Sequence, residues 1–429
     1  MQVRSLTVLQ NWDCHSCGEC CRSYRVPVTD AERARIEAQG WANDPELKGQ
    51  TLFERRKGET YLAHKPDGAC VFLGPDKLCR IHAAHGSLAK PLACRVYPIL
   101  LVPAGDHWNL GLRFECPSAA ANKGTSLTSH LGTAREFATA LEAGPAKGAE
   151  GAAPPPLQGK QFLPWSDLAR IASAVSKLLA DLTDPFERRW RRVLFLVSTL
   201  RKAKFDGGGD PKKTVTGGRL SEMLHVLSEA SEDEVPDEAT ELKPPGWTGR
   251  TVFRQLAAVY ARKDHGTERG PGLRNPFARL WSAVRFASGR GRVPRVHAAL
   301  SDAVRFADTN TPLPELSEAS EDLLERWHRV KVESLQFCGP TNFGLPVWDG
   351  IESLALTFPI AMWLARLFAA GGMAPDAAVS RGARIADDNF GFNPLLGSAR
   401  QKFALRMLSN RGELPRLVAW YGRTTTAAE

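Results

Sequence analysis

Beyond residue 116 the 429-residue chain has almost no cysteine: Cys338 stands alone there, while the other eight of nine fall in the first 116 residues. The chain also lacks a clean membrane-length run. Its longest apolar stretch, Leu354 to Ala370, carries Pro359 and Arg366, whereas a span needs about 20 mostly apolar residues and strongly disfavours a central Arg. A buried helix is expected, with no membrane span. Met1 to Cys14 shows no long apolar h-region and no small-residue cleavage site, so no secretory signal is read and a cytoplasmic location is expected. Thiols stay reduced in that compartment, which argues against a disulfide framework. The length suits two or three domains of about 100–200 residues each, so staples are not needed for size alone.

Several catalytic signatures are missing as well. No P-loop, nucleophile elbow or His-Glu-x-x-His occurs. Gly207-Gly208-Gly209-Asp210 is glycine-rich, but no strand pattern precedes it and Pro211-Lys212-Lys213 follows, so it reads as a loop. A radical S-adenosylmethionine signature would need Cys-x-x-x-Cys-x-x-Cys; Cys17 and Cys21 give the first gap, and Tyr24 stands third. No fixed-period repeat is present. The net charge of +9 comes from scattered Arg. Arg188-Arg189-Trp190-Arg191-Arg192, with Glu187 four residues before Arg191, reads as a solvated helix face with ion pairs, and no nucleic-acid partner is expected.

What the chain does have is a dense thiol set: Cys14, Cys17, Cys20 and Cys21, followed by Cys70, Cys79, Cys94 and Cys116. Cys-x-x-Cys lets two thiolates reach one metal across a tight turn, and Gly18 supplies the backbone freedom. In extended chain the adjacent Cys20 and Cys21 would point to opposite sides, which suggests two nearby sites or a polynuclear cluster. Eight thiols could close two four-Cys zinc sites or hold an iron–sulfur cluster; spacing does not choose. Their softness argues for zinc or iron and against magnesium and calcium, which prefer oxygen. Disulfides and thiol exchange are the competing readings. His15 and His82 read as ordinary polar residues, and Cys338 as a small buried hydrophobe.

The expected fold class is α+β: a small, metal-organised, cysteine-rich N-terminal domain at 1–117, a flexible Ala/Gly/Pro-rich linker at 118–160, and a larger all-α domain at 161–429. Short strands are read at Tyr61–Ala63, Val71–Leu73, Val96–Val102 and Trp108–Phe114, with a capping box at Thr29 to Glu32. A period near 3.6 then predicts helices from Ser166, after an Asp184 N-cap with Pro185 at the first helical position, and near 219–230, 250–262, 295–307, 320–336, 350–370, 375–386, 399–410 and 413–421. Asn389 to Pro394 forms an aromatic loop that could line a pocket.

Cys14-x-x-Cys17-x-x-Cys20-Cys21 resembles the opening of the YkgJ-type CxxCxxCC cysteine-cluster family, zinc- or iron-chelating domains. Cys70-Val71-Phe72-Leu73, Cys79-Arg80-Ile81-His82, the Lys90 to Pro98 segment with Cys94-Arg95-Val96-Tyr97, and Cys116-Pro117 extend the likeness over residues 14–117. Longer members that add a helical domain resemble flagellin lysine N-methylases. That resemblance implies zinc or an iron–sulfur cluster held by the eight thiols, S-adenosylmethionine as methyl donor and a protein substrate. The alternative is a non-enzymatic zinc protein whose cysteine domain is structural or binds a partner. Methylation needs a neutral amine, and Tyr24, Tyr97, His82 and Glu115 are the nominal nearby groups.

Overall fold

The computed structural model describes residues 2–143, 151–205 and 214–425. The Gly207–Asp210 loop and residues 144–150 of the expected linker lie outside the described residues. The fold class is α+β, as expected: a small sheet-bearing N-terminal region is followed by a larger helical part.

In the N-terminal part the strands are β1 (Val3–Arg4), β2 (Phe53–Arg56), β3 (Glu59–Leu62), β4 (Ile99–Pro103) and β5 (Trp108–Leu112), with short helices α1 (Glu19–Ser23), α2 (Asp30–Glu37), α3 (Arg80–His85), α4 (Leu92–Val96) and α5 (Pro117–Ala120). β4 and β5 form an antiparallel hairpin with Ile99 opposite Leu112, and β1 adds in parallel to β5. β2 and β3 meet across Lys57-Gly58, both at positive φ, the backbone a two-residue hairpin turn requires. The Thr29/Glu32 capping box starts α2 as read. Val71–Leu73 is no strand; it lies in turns between isolated bridges, His64 to Cys70 and Leu73 to Cys79. A buried apolar triplet reads the same in a packed turn as in a strand.

Two apolar cores result. The smaller gathers Val28, Ile36, Trp41, Leu47, Leu62, Val71, Phe72 and Ile81. The larger runs from Val3 to Tyr421 and takes in Ile99, Leu110 and Leu112 of the β4–β5 hairpin, with Phe114 just beyond it. The hairpin therefore packs with the helices. The Ala/Gly/Pro-rich 118–160 segment joins this core too: α6 (Leu131–Glu142) buries Ala134, Phe137 and Ala138, and Leu157 is fully buried. Composition alone misses this because small side chains fill a close contact as well as they suit a linker.

The helical part comprises α7 (Trp165–Leu179), α8 (Phe186–Leu200), α9 (Gly217–Glu234), α10 (Trp247–Tyr260), α11 (Pro276–Ser288), α12 (Glu318–Glu333), α13 (Val347–Ala370), α14 (Pro375–Asn389), α15 (Ala399–Asn410) and α16 (Glu413–Gly422). The expected helix at 295–307 is absent. Its apolar residues Val296 and Val304 are buried on irregular chain, and the N–H of Val293, just before the segment, donates to Val304 O. The helix in that region is α11, which has Asn275 as N-cap, Pro276 at the first turn and Gly289 at φ +62 beyond its end. Those are strong sequence signals.

Asp184 does not cap α8. Its carboxylate pairs with Arg188 and, at 2.7 Å, with Arg192. The four arginines of α8 are buried rather than solvated, at 1–5% exposure. Arg191 pairs with Glu187 at 2.7 Å and Arg189 with Glu325 at 3.2 Å. The ion-pair reading of this segment holds; its solvent-facing part does not, because neighbouring helices cover it.

α13 is long and apolar enough to cross a membrane by length and composition, yet 89% of its apolar window is buried inside the fold. Arg366 within it donates to the carbonyls of Thr309, Trp420 and Tyr421, each at 3.0 Å. α14 packs on α13 at Gly382, where a Cβ would stand 2.3 Å from Ala361 O. Gly382→Ala is therefore expected to destabilise by about 1–3 kcal/mol through overpacking against rigid backbone. Urea unfolding checks this, and an unchanged midpoint would refute it.

Candidate metal centre and the polar cluster beside it

Cys14 and Cys17 lie exposed on irregular chain. That chain is tied down, since Trp12 and Asp13 N–H donate to Thr125 O and Lys123 O. Gly18 at φ +74 then turns the chain into α1. Cys20 and Cys21 share this single helical turn. Neighbours there differ by about 100° rather than the 180° of extended chain, and the two thiols hydrogen-bond each other. The premise that they face opposite ways fails because the backbone is helical.

Cys70 and Cys116 are buried, and Cys79 and Cys94 are partly exposed. The Cys70 N–H donates to Cys21 O at 2.7 Å, which fixes the second loop on the first. Cys79 is the N-cap of α3, Cys94 sits within α4, and Cys116 is the N-cap of α5. The fold brings Cys20, Cys21, Cys70, Cys79 and Cys94 into one electrostatic neighbourhood. Cys20 is raised by its bond to Cys21, by burial and by Glu115. Cys94 is raised by burial and by Cys70, Cys79 and Cys20. Burial pushes Cys70 up to about 12. Cys116 is pushed by burial to about 11 and has Cys17 as a neighbour. Cys338 is buried far along the chain and raised by burial alone, as a small core hydrophobe would be.

Among the described residues, no group of three or more Cys, His, Asp and Glu is disposed to hold a metal ion. The donor chemistry nonetheless suits one: thiols crowd one another so that each opposes its neighbour's ionisation, which a bound cation would reverse. Trp12 Nε1 is buried beside Cys116 and opposes the rise of its thiol, the orientation in which an indole N–H would support a thiolate sulfur.

Beside the thiols lies a group only partly legible in the sequence. Tyr24 directly follows α1, and its hydroxyl bonds to Glu115 and lies 3.1 Å from Asp388. Tyr97 donates to the same Glu115 oxygen at 2.6 Å. The Arg113 guanidinium stands 4.4 Å from the Tyr24 ring centre and 3.8 Å from that of Phe392, with Asp388 at 3.3 Å. Lys263 pairs with Asp388 at 2.6 Å. Burial raises both tyrosines, and it opposes the charge on Arg113, which Tyr24, Glu115 and Asp388 restore. Burial also opposes ionisation of Asp388, but Lys263 and Arg113 hold it below the usual carboxylate range.

Three of the four nominal residues, Tyr24, Tyr97 and Glu115, thus converge, while His82 is on α3. Arg113, Lys263 and Asp388 escaped sequence reading because three distant segments supply them, whereas Phe392 belongs to the aromatic loop read as pocket-lining. Only the aromatic loop at 389–394 gave a signal. The helical part meets α1 directly: Thr267 N–H donates to Arg22 O at 3.0 Å, and a Cβ on Gly266 would lie 2.3 Å from that oxygen. This close approach requires glycine.

Residues 13–116 match the CxxCxxCC family, described as "Putative zinc- or iron-chelating domain". The CxxCxxCC match covers all eight clustered cysteines and ends before the helical part. No curated protein and no solved structure significantly matches the chain.

Proposed function

We propose that the CxxCxxCC segment holds zinc or an iron–sulfur centre through Cys14, Cys17, Cys20, Cys21, Cys70, Cys79, Cys94 and Cys116, and that the protein is a cytoplasmic, S-adenosylmethionine-dependent protein lysine N-methylase. The observation that carries this reading is the Tyr24–Tyr97–Arg113–Asp388–Phe392 cluster where the thiol-bearing turn meets the helical part. Aromatic faces with a carboxylate suit an organic cation, and the sulfonium of S-adenosylmethionine is one. Arg113 already occupies such faces, which demonstrates their complementarity to cations. The resemblance in layout to flagellin lysine N-methylases supports the same reaction. In that reaction a neutral lysine nitrogen attacks the sulfonium methyl, the carbon–sulfur bond breaks, and S-adenosylhomocysteine leaves.

One observation favours a second reading, a structural zinc segment without catalysis. The cluster's charges satisfy one another, as a latch between the two parts of the chain would require. Equilibrium dialysis of metal-replete protein against S-adenosylmethionine separates the two, followed by transfer of labelled methyl to purified flagellin. Binding and transfer are expected, with Asp388→Asn lowering transfer at least tenfold and leaving metal content unchanged. Absence of S-adenosylmethionine binding by metal-replete protein would sink the methylase reading and leave the latch.

A further inference from the structure

Far from the thiols, α11 presents an apolar stripe to solvent. Phe277, Leu280, Trp281 and Val284 are 84%, 66%, 62% and 50% exposed. They stand at i, i+3, i+4 and i+7, one face of the helix. The opposite face is anchored: Ser282 and Phe286 are buried, and Phe286 packs edge-on against Phe306. The helix is therefore held firmly with its apolar side outward. Single exposed apolar residues need no explanation, but a contiguous stripe does.

The charge around the stripe is mostly positive, with Arg295 paired to Asp302 at 3.2 Å. From Arg269 to Ser301 the chain carries seven arginines and no Asp or Glu. Arg274, Arg279, Arg290 and Arg292 are exposed, and Arg285 stacks 5.4 Å from the Trp281 ring centre. At the C-terminal end of α11 a cavity of about 350 Å³ is lined by Arg250, Arg254 and Arg290 with Thr309, Asn310 and Tyr421, and by no carboxylate. Among the described residues Arg254 donates only to neutral acceptors there, Phe286 O, Ala287 O and Thr251 Oγ1.

We propose that this face docks on an anionic phospholipid surface, with Phe277, Leu280, Trp281 and Val284 entering the acyl boundary and the arginine cavity receiving a headgroup phosphate. An amphipathic helix with aromatic and aliphatic residues on one side and arginines around them is built to lie in that interface. The positive field selects an anionic leaflet. A second copy of the chain fits poorly, because it would set arginines against arginines. The stripe is convex, so a protein partner would have to offer an acidic-rimmed groove, whereas a bilayer accepts any convex apolar ridge.

Co-sedimentation of the full chain with vesicles tests this. Binding is expected to vesicles containing about a third phosphatidylglycerol and not to pure phosphatidylcholine, and it should weaken as salt shortens the Debye length. Leu280→Glu with Trp281→Glu should abolish it. Arg290→Gln and Arg292→Gln should each lower partitioning on the order of fivefold, about 1 kcal/mol per charge. These side chains are exposed, so circular dichroism of the variants should match the parent. Failure to sediment with anionic vesicles at low salt overturns the proposal, as does undiminished binding by the Glu pair. Loss of binding through the arginines alone, with inorganic phosphate competing fully, would make the cavity a soluble-anion site instead. Stripe-dependent capture of polyglutamate without vesicle binding would assign the face to an acidic protein.

Discussion

Asp387→Ala should destabilise the protein by about 3–5 kcal/mol, the cost of stranding a buried charge. Asp387 and Lys331 are both fully buried and pair at 2.6 Å. The Asp387 carboxylate also accepts from Trp327 Nε1 and from Glu115 N–H, each at 2.9 Å. Among the described residues Lys331 otherwise bonds only to Leu112 O, at 3.1 Å. Burial drives the Lys331 pKa down, and Asp387 is the group that opposes this. Removing the carboxylate leaves an ammonium without a counter-charge and two N–H donors without partners where α12, α14 and the end of β5 meet. Adding Lys331→Met to Asp387→Asn should recover much of the loss, because no charge is then stranded. Urea unfolding of the set decides the matter, and a loss under 1 kcal/mol for Asp387→Ala would show that the pair does not lock this junction.

The second large effect concerns the CxxCxxCC segment. Its own core is the small group around Val28, Ile36, Trp41, Leu62, Phe72 and Ile81, and Cys70 is among its buried members. A core of that size rarely supplies more than about 3–5 kcal/mol, whereas a structural thiolate-bound zinc contributes an apparent 10–16 kcal/mol or so. Stripping the metal should therefore unfold roughly residues 26–94 and spare the helical part, whose core is separate and far larger. Limited proteolysis with and without chelator would read this as early cuts confined to that stretch. Cys70→Ser and Cys94→Ser should each lose most of the metal, and Cys338→Ala should keep it. Metal-free protein with eight freely titrating N-terminal thiols and an unaltered proteolytic pattern would refute the metal reading. Iron with sulfide, against about two zinc ions per chain, separates the candidate centres.

Much of the local structure follows directly from residue order. The Thr29/Glu32 box, the Asn275-Pro276 start and Gly289 stop of α11, and the 3.6-residue periods of α7 and α8 are all short-range signals. The failures share one cause. Val71–Leu73, the 295–307 segment and the arginines of α8 read one way from local pattern, and each has its state fixed by what packs on it. The apolar stripe of α11 is the reverse case: its period is that of a core-facing helix, and the fold turned it outward.

By itself the sequence determined the α+β class, the clustering of eight thiols before residue 117 and the burial of Cys338, because chain order and side-chain chemistry suffice for those. The tertiary structure alone decided that Cys20 and Cys21 share a helical turn, and that Tyr24, Arg113, Lys263 and Asp388 meet beside them. Those four residues span more than 360 positions of chain. Side chains so far apart can be joined only by long-range packing, which no local periodicity encodes.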